Sequence, residues 1–337
     1  MVAFRHATVT TVLSERPGLT RVALGDGSRA YALTDLTGPV GAGDEVVVNT
    51  TAMDLGLGTG GWHVVHWNLE RQGWSRPGPG HLMKLRYTSL QVDTGVGEED
   101  GDVPATLDHV PVVAAGVHSQ LSAVAAAIAA ARPATRVAYV MTDGAALPLA
   151  MSDLVADMVD LGLLVGTVTA GHAFGGDVEA LNVASGLALA RHRLDADVVV
   201  VAMGPGGAGT GSRLGYTGLE VASVLDAAAW LGGRPVACLR ASSADPRRRH
   251  QGISHHSLTA LDAVRSEVDV ALPPGLARPE GIRHRWHVID PGDPAEMLAD
   301  AHLRVTTMGR SPAADPLYFA AAAAAGHLAL RLVGDGP

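Results

Sequence analysis

A chain of 337 residues with 47% hydrophobic and 18% charged side chains can build a sizeable core, which excludes a disordered chain or a small disulfide-stapled one. The net charge of −9 argues against a nucleic-acid partner, and the lone Cys238 excludes an intramolecular disulfide or a multi-cysteine zinc site. Lys84 is the single lysine, so none follows the glycine-rich stretch at 204–211, and a Walker-type phosphate loop is excluded.

The first residues lack a charged segment followed by an apolar run, so no signal peptide is read. Residues 1–70 read as short β-strands at Thr8–Leu13, Arg21–Leu24, Arg29–Leu33, Glu45–Val48 and Trp62–Trp67. Asp26-Gly27 predicts a tight hairpin turn with positive φ at both residues, and Gly38-Pro39 marks a second connection. Five short strands without a helical period predict a small barrel or sandwich over 1–80. Residues 81–108, stiff with Pro77–Gly80 before them and acidic from Asp93, read as a connecting segment.

From residue 109 to 337 the rhythm becomes strand–helix alternation, the mark of an α/β domain with a doubly wound, mostly parallel sheet. Strands are predicted at Val110–Ala115, Arg136–Met141, Leu163–Thr169, Val198–Met203, Pro235–Arg240, Val268–Ala271 and Trp286–Ile289. Helices are predicted at Ser119–Ala131, Pro148–Leu161, Gly176–His192, Thr217–Leu231 and Ser254–Val264. Ser119 and Ser254 are expected N-caps, Pro148 suits a first helical turn, and Asp293-Pro294 with Glu296 marks another helix start. The last helix, Leu317–Val333, is apolar all round and is expected to be buried, with a second subunit as one cover. It carries His327 and Arg331 and is short for a membrane span, so the expectation is a cytoplasmic protein with no membrane partner.

In such sheets ligands bind beyond the carboxyl ends of the strands. Those ends carry His118, then Asp143, then His172 with Asp177 and Glu179, then a glycine loop, then Arg240 with Asp245. The loop supplies Gly204, Gly206, Gly207, Gly209, Thr210, Gly211 and Ser212, whose backbone N–H groups suit a phosphate or carboxylate. Its G-x-G-x-x-G spacing is a poor dinucleotide fingerprint, because Thr210 to Tyr216 separate the third glycine from the helix. His172, Asp177 and Asp143 are the catalytic candidates, since imidazole and carboxylate exchange protons near neutral pH. For Asp177 and Glu179 a place in a first helical turn, favoured by the helix dipole, is the alternative.

Arg240 and Arg248 offer forked donors for an anion, alongside His118 and the glycine loop. A divalent metal is a second option, with His250, His255 and Asp245 as candidate ligands; His255 and His256 are adjacent at a helix start and are expected to point apart. At GHAFGGDVEALN, MGPGGAGTGSRLGYTGLE and ADPRRRHQGISHH the sequence resembles an uncharacterised bacterial family catalogued as a domain of unknown function. That resemblance spans nearly the whole chain and implies a bacterial, cytoplasmic protein; it carries over no catalytic residue. The expected function is binding of a small anionic metabolite, with hydrolysis or group transfer favoured over redox chemistry. The alternative is a non-catalytic metabolite sensor or scaffold whose β-domain contacts a partner.

Overall fold

A computed structural model describes residues 2–57 and 60–334, and the chain divides into two compact units between Gly95 and Val96. That division falls within the segment 81–108.

The first unit is a closed barrel of β1 (Phe4–Arg16), β2 (Leu19–Leu24), β3 (Arg29–Ala32), β4 (Glu45–Asn49) and β5 (His63–Asn68), in the order β1-β2-β3-β5-β4. Period-2 alternation turns Val9, Val22, Leu24, Ala30, Val46, Val48 and Val65 inward to one core. The β2–β3 turn differs from the tight hairpin predicted. Only Gly27 takes positive φ, while the Asp26 carboxylate accepts from the Ser28 amide. Short helices α1 (Thr34–Thr37) and α2 (Thr51–Asp54) flank β4, and β6 (Met83–Lys84) pairs with β7 (Val92–Asp93) beyond the barrel.

The second unit is an eight-stranded sheet with every neighbouring pair parallel. Its strands are β8 (Pro111–Ala115), β9 (Val137–Thr142), β10 (Gly166–Ala170), β11 (Val178–Ala180), β12 (Val198–Met203), β13 (Arg234–Cys238), β16 (Asp269–Leu272) and β17 (Arg285–Val288). A separate two-residue pair, β14 (Ala241–Ser242) with β15 (Gly252–Ile253), interrupts the count. The spatial order is β11-β10-β9-β12-β8-β13-β16-β17. The continuous apolar runs of β8, β9 and β12 are buried at every residue because helices cover both faces.

One face carries α3 (Gln120–Ala131), α4 (Asp153–Asp160), α8 (Pro294–Asp300) and α9 (Pro316–Gly334). The other carries α5 (Val183–His192), α6 (Val221–Trp230) and α7 (His255–Ala263). Helix α9 is long and apolar enough to cross a membrane by length and composition, yet its residues from Tyr318 to Ala325 are almost all buried inside this unit. Gly326 lets it approach α3 closely: a Cβ there would lie 2.5 Å from the Val124 carbonyl oxygen. The chain itself therefore covers most of the apolar surface of α9 between Tyr318 and Leu330.

Three local expectations need correction. Residues 176–192 are not one helix: β11 takes Val178–Ala180 and α5 begins after Asn182, whose side chain caps Ser185. Asp177-Val178-Glu179-Ala180 alternates with period 2, and the threonines of β10 bind both carboxylates, so the strand wins. Residues 148–161 break at Ser152, which caps α4 behind a short 3-10 turn. Ser119 does not cap α3; its hydroxyl meets the Tyr318 hydroxyl at 2.7 Å. Ser254 and Asp293 do cap their helices.

Candidate functional site

The strand order reverses twice. β8 leads to α3 on one face while its neighbour β13 leads to α7 on the other, which opens a crevice beyond their carboxyl ends. β9 leads to α4 and its neighbour β12 to α6, which opens a second. A 3-10 turn, Thr217–Glu220, serves both. Its Gly218 packs on Gly116 after β8, where a Cβ would lie 2.8 Å from the Gly116 carbonyl oxygen, and its Glu220 reaches Thr142 at the end of β9.

In the first crevice Gly116, Tyr216, Gly218, Arg240, His256 and Ser257 line a cavity of about 20 Å³, room for one water. Arg240 is 8% exposed, and burial lowers its pKa. Among the described residues its guanidinium makes only long contacts, 3.4 Å to Asp245 and 3.5 Å to Nδ1 of His256. Asp245 is held instead by Arg247, at 2.9 and 2.8 Å in a forked pair. That pair keeps the Asp245 carboxyl well below the usual carboxylate range. Arg310 approaches Asp245 at 3.6 Å and binds buried Asp315 at 3.0 Å, and Asp315 accepts from the Ser242 hydroxyl at 2.6 Å. Three guanidinium groups thus share two buried carboxylates, while Arg248 and Arg249 add exposed charge beside them.

The β14–β15 pair folds the arginine loop back and places His250, in a 3-10 turn, against the start of α7. Three imidazoles meet there, with ring centroids 5.1 Å apart for His250 and His255, 4.8 Å for His250 and His256, and 4.3 Å for His255 and His256. The two adjacent histidines do not point apart, contrary to expectation. Tyr216 stacks on His256 and its hydroxyl donates to the His256 carbonyl, which fixes the helix start and the ring together. Burial, reinforced by the nearby arginines, lowers the pKa to about 4 at His250, lowers it at His255, and takes His256, where His255 adds to the effect, to about 3. Each shift favours the neutral ring. Asp245, by contrast, is committed to arginine.

The second crevice holds Asp143, His172 and Glu220. The Asp143 carboxylate accepts from the His172 backbone amide at 3.0 Å, and Glu220 accepts from the Thr142 hydroxyl at 2.6 Å. Burial, with Asp143 nearby, raises the Glu220 pKa. Asp177 does not join this group. It accepts from Thr167, near the amino end of β10, at 2.8 and 2.9 Å. His172 follows the carboxyl end of that strand at Ala170, itself three residues or roughly 10 Å further along. Glu179 accepts from Thr169 and from the Gly175 amide, so neither carboxylate serves a helix dipole.

Both nitrogens of His118 are occupied, by the Met203 carbonyl at 3.0 Å and the Ser152 hydroxyl at 2.7 Å. In the glycine loop the amides of Ala208, Thr210, Ser212 and Gly215 bond within the loop or to Thr217. Gly204 serves close packing, since a Cβ would meet the Ala146 carbonyl at 2.5 Å, and Gly206 and Gly211 take positive φ. Gly209 and Gly211 bring the loop against His256 and Arg249. Glu220, Tyr216, Arg310 and Asp315 belong to the two crevices although residue type and spacing did not single them out.

The chain belongs to the family described as protein of unknown function DUF3866, whose model matches residues 29–326. No curated protein and no solved structure matches it.

Proposed function

We propose that this protein binds a small metabolite bearing phosphate or carboxylate at the carboxyl ends of β8 and β13, and hydrolyses it or transfers a group from it. The observation that carries this reading is Arg240, a buried guanidinium whose only carboxylate neighbour among the described residues is already taken by Arg247. A guanidinium held out of water without a close counter-charge is a strong site for an anion. The surplus of arginine over carboxylate and the exposed Arg248 and Arg249 favour the same ligand charge and would steer it inward. The water-sized cavity beside Arg240 admits one oxygen of an anionic group. In the neighbouring crevice Glu220, kept protonated to higher pH by burial, supplies the acid for a transfer step, and the Asp143 carboxylate, oriented by the His172 backbone amide, supplies a second proton-handling group.

Isothermal titration with inorganic phosphate, phosphate monoesters and dicarboxylates tests the binding. At least one class should bind the wild type and lose roughly 100-fold in affinity in Arg240→Met, the loss expected for a buried charge-assisted contact. Equal binding by the variant would remove Arg240 from the site.

A further inference from the structure

We propose that His250, His255 and His256 form a three-imidazole site for a transition-metal dication, for which zinc is the test ion. Each ring offers one nitrogen, and these three atoms lie within 4.8 Å of one another. Two independent features mark them as ligands rather than packing. His250 is fully buried, yet its Nε2 has no hydrogen-bond partner among the described residues, and the buried Nε2 of His255 has none among them either. A buried polar nitrogen without a partner loses its water and gains nothing in return, and two side by side need a shared explanation. The second feature is orientation. Nδ1 of His250 lies 2.7 Å from the Ser254 hydroxyl. In the tautomer where Nδ1–H donates to Ser254, Nε2 keeps its lone pair free to ligate. Fixing one ring nitrogen so that the other can ligate is how outer partners prepare metal-binding histidines.

Imidazole-only sites suit zinc and the later first-row ions. Four-coordinate zinc, with bonds of about 2.0–2.1 Å, sets its nitrogens about 3.3 Å apart. The rings must therefore close by roughly 1.5 Å, chiefly by side-chain rotation of His255, since Tyr216 holds the His256 ring. Three protein ligands leave a position open. Local charge decides what fills it: Arg240, Arg247 and Arg249 repel a bare dication, so the open position takes an anionic group that pairs with both metal and guanidinium. The metal site itself does not rest on the anion reading above; only the identity of the fourth ligand does.

The full chain, stripped with a chelator and exchanged into buffer free of phosphate and carboxylate, is loaded with Zn²⁺ or Co²⁺, desalted and analysed for metal. One ion per chain is expected, with the visible absorption of tetrahedral cobalt and a raised melting temperature on adding zinc. His255→Gln, at a half-buried position, and His256→Gln should each fold and lose roughly 100-fold in metal affinity, while His6→Ala, in the barrel unit, keeps full uptake. Sub-stoichiometric uptake by the wild type, or equal uptake by His255→Gln and His256→Gln, would overturn the proposal. Anion titration of the metal-free chain separates the two readings. Metal uptake with no anion bound in either form removes the anion reading alone, and anion binding with no metal uptake removes this one alone.

Discussion

Tyr216 lies flat on His256, with ring centroids 3.7 Å apart and planes within 1° of parallel. The same tyrosine donates its hydroxyl to the His256 carbonyl at 2.7 Å, so ring and backbone are held from one side chain. Tyr216 also leads directly into the turn that ends in Glu220, which joins the histidine cluster to the carboxylate pair. Tyr216→Phe keeps the stack and removes the hydrogen bond; it should cost about 0.5–1.5 kcal/mol in denaturant unfolding. Tyr216→Ala removes the stack as well and should cost about 3 kcal/mol or more. Equal effects of the two variants would show that the stack contributes nothing.

The arginine network predicts opposite signs for two neighbouring changes. Asp245 is 1% exposed and balances Arg247 and, at longer range, Arg240 and Arg310. Asp245→Ala leaves those charges uncompensated and should destabilise by about 3–5 kcal/mol. Arg240→Met removes a buried guanidinium with only long contacts, so it should be neutral or stabilising while anion binding falls. Thermal melts of both variants in the same buffer decide the point. A large loss of stability in Arg240→Met would make that residue a structural one.

Much of the frame was legible because burial on both faces leaves a plain trace. Runs such as Val198–Met203 can only be interior strands, and Val198–Met203 is the observed span. The edge strand Val178–Ala180 escaped because three residues carry too little period to outvote the helix that follows. The sites were less legible for a different reason. Asp315 meets Ser242 across 73 positions, and nothing near either residue marks the pairing. Glu220 reads as an ordinary helix residue until the fold sets it on Thr142. His255 and His256 were expected to diverge from helix geometry alone; the stacking ring of Tyr216 and the buried His250 supply the constraint that geometry lacked. The glycine loop illustrates the converse. Gly206 takes φ of +93° with open space around it, so a valine there would act through backbone strain and fill no pocket.

Gly326 gives a prediction whose sign is diagnostic. In the middle of an exposed helix, glycine to alanine stabilises by roughly 1 kcal/mol. Here a Cβ would lie 2.5 Å from the Val124 carbonyl oxygen and 3.3 Å from the Ala127 Cβ, so α9 must move off α3. Gly326→Ala should therefore destabilise, by about 1–3 kcal/mol, and Gly326→Val by more. A raised melting temperature in Gly326→Ala would mean that the two helices are not in close contact in solution.

His118 makes stability depend on pH. Burial takes its pKa down to about 4, while its backbone bond to Met203 acts weakly in the other direction. In the unfolded chain the same imidazole titrates near 6.5. Between those two values the unfolded state holds a proton that the folded state does not, so stability rises with pH across that window. The contribution is complete above pH 6.5 and is lost as pH falls toward 4. Protonation would also put a second N–H where Nε2 now accepts from the Ser152 hydroxyl, loosening the cap of α4. His118→Gln should flatten this part of the stability profile, measured by urea unfolding at half-unit pH steps from 4 to 7. The three clustered histidines also have lowered pKa values, so the wild-type slope should remain partly in the variant. An unchanged profile in His118→Gln would mean that the ring is already charged, or already hydrated, in the folded protein.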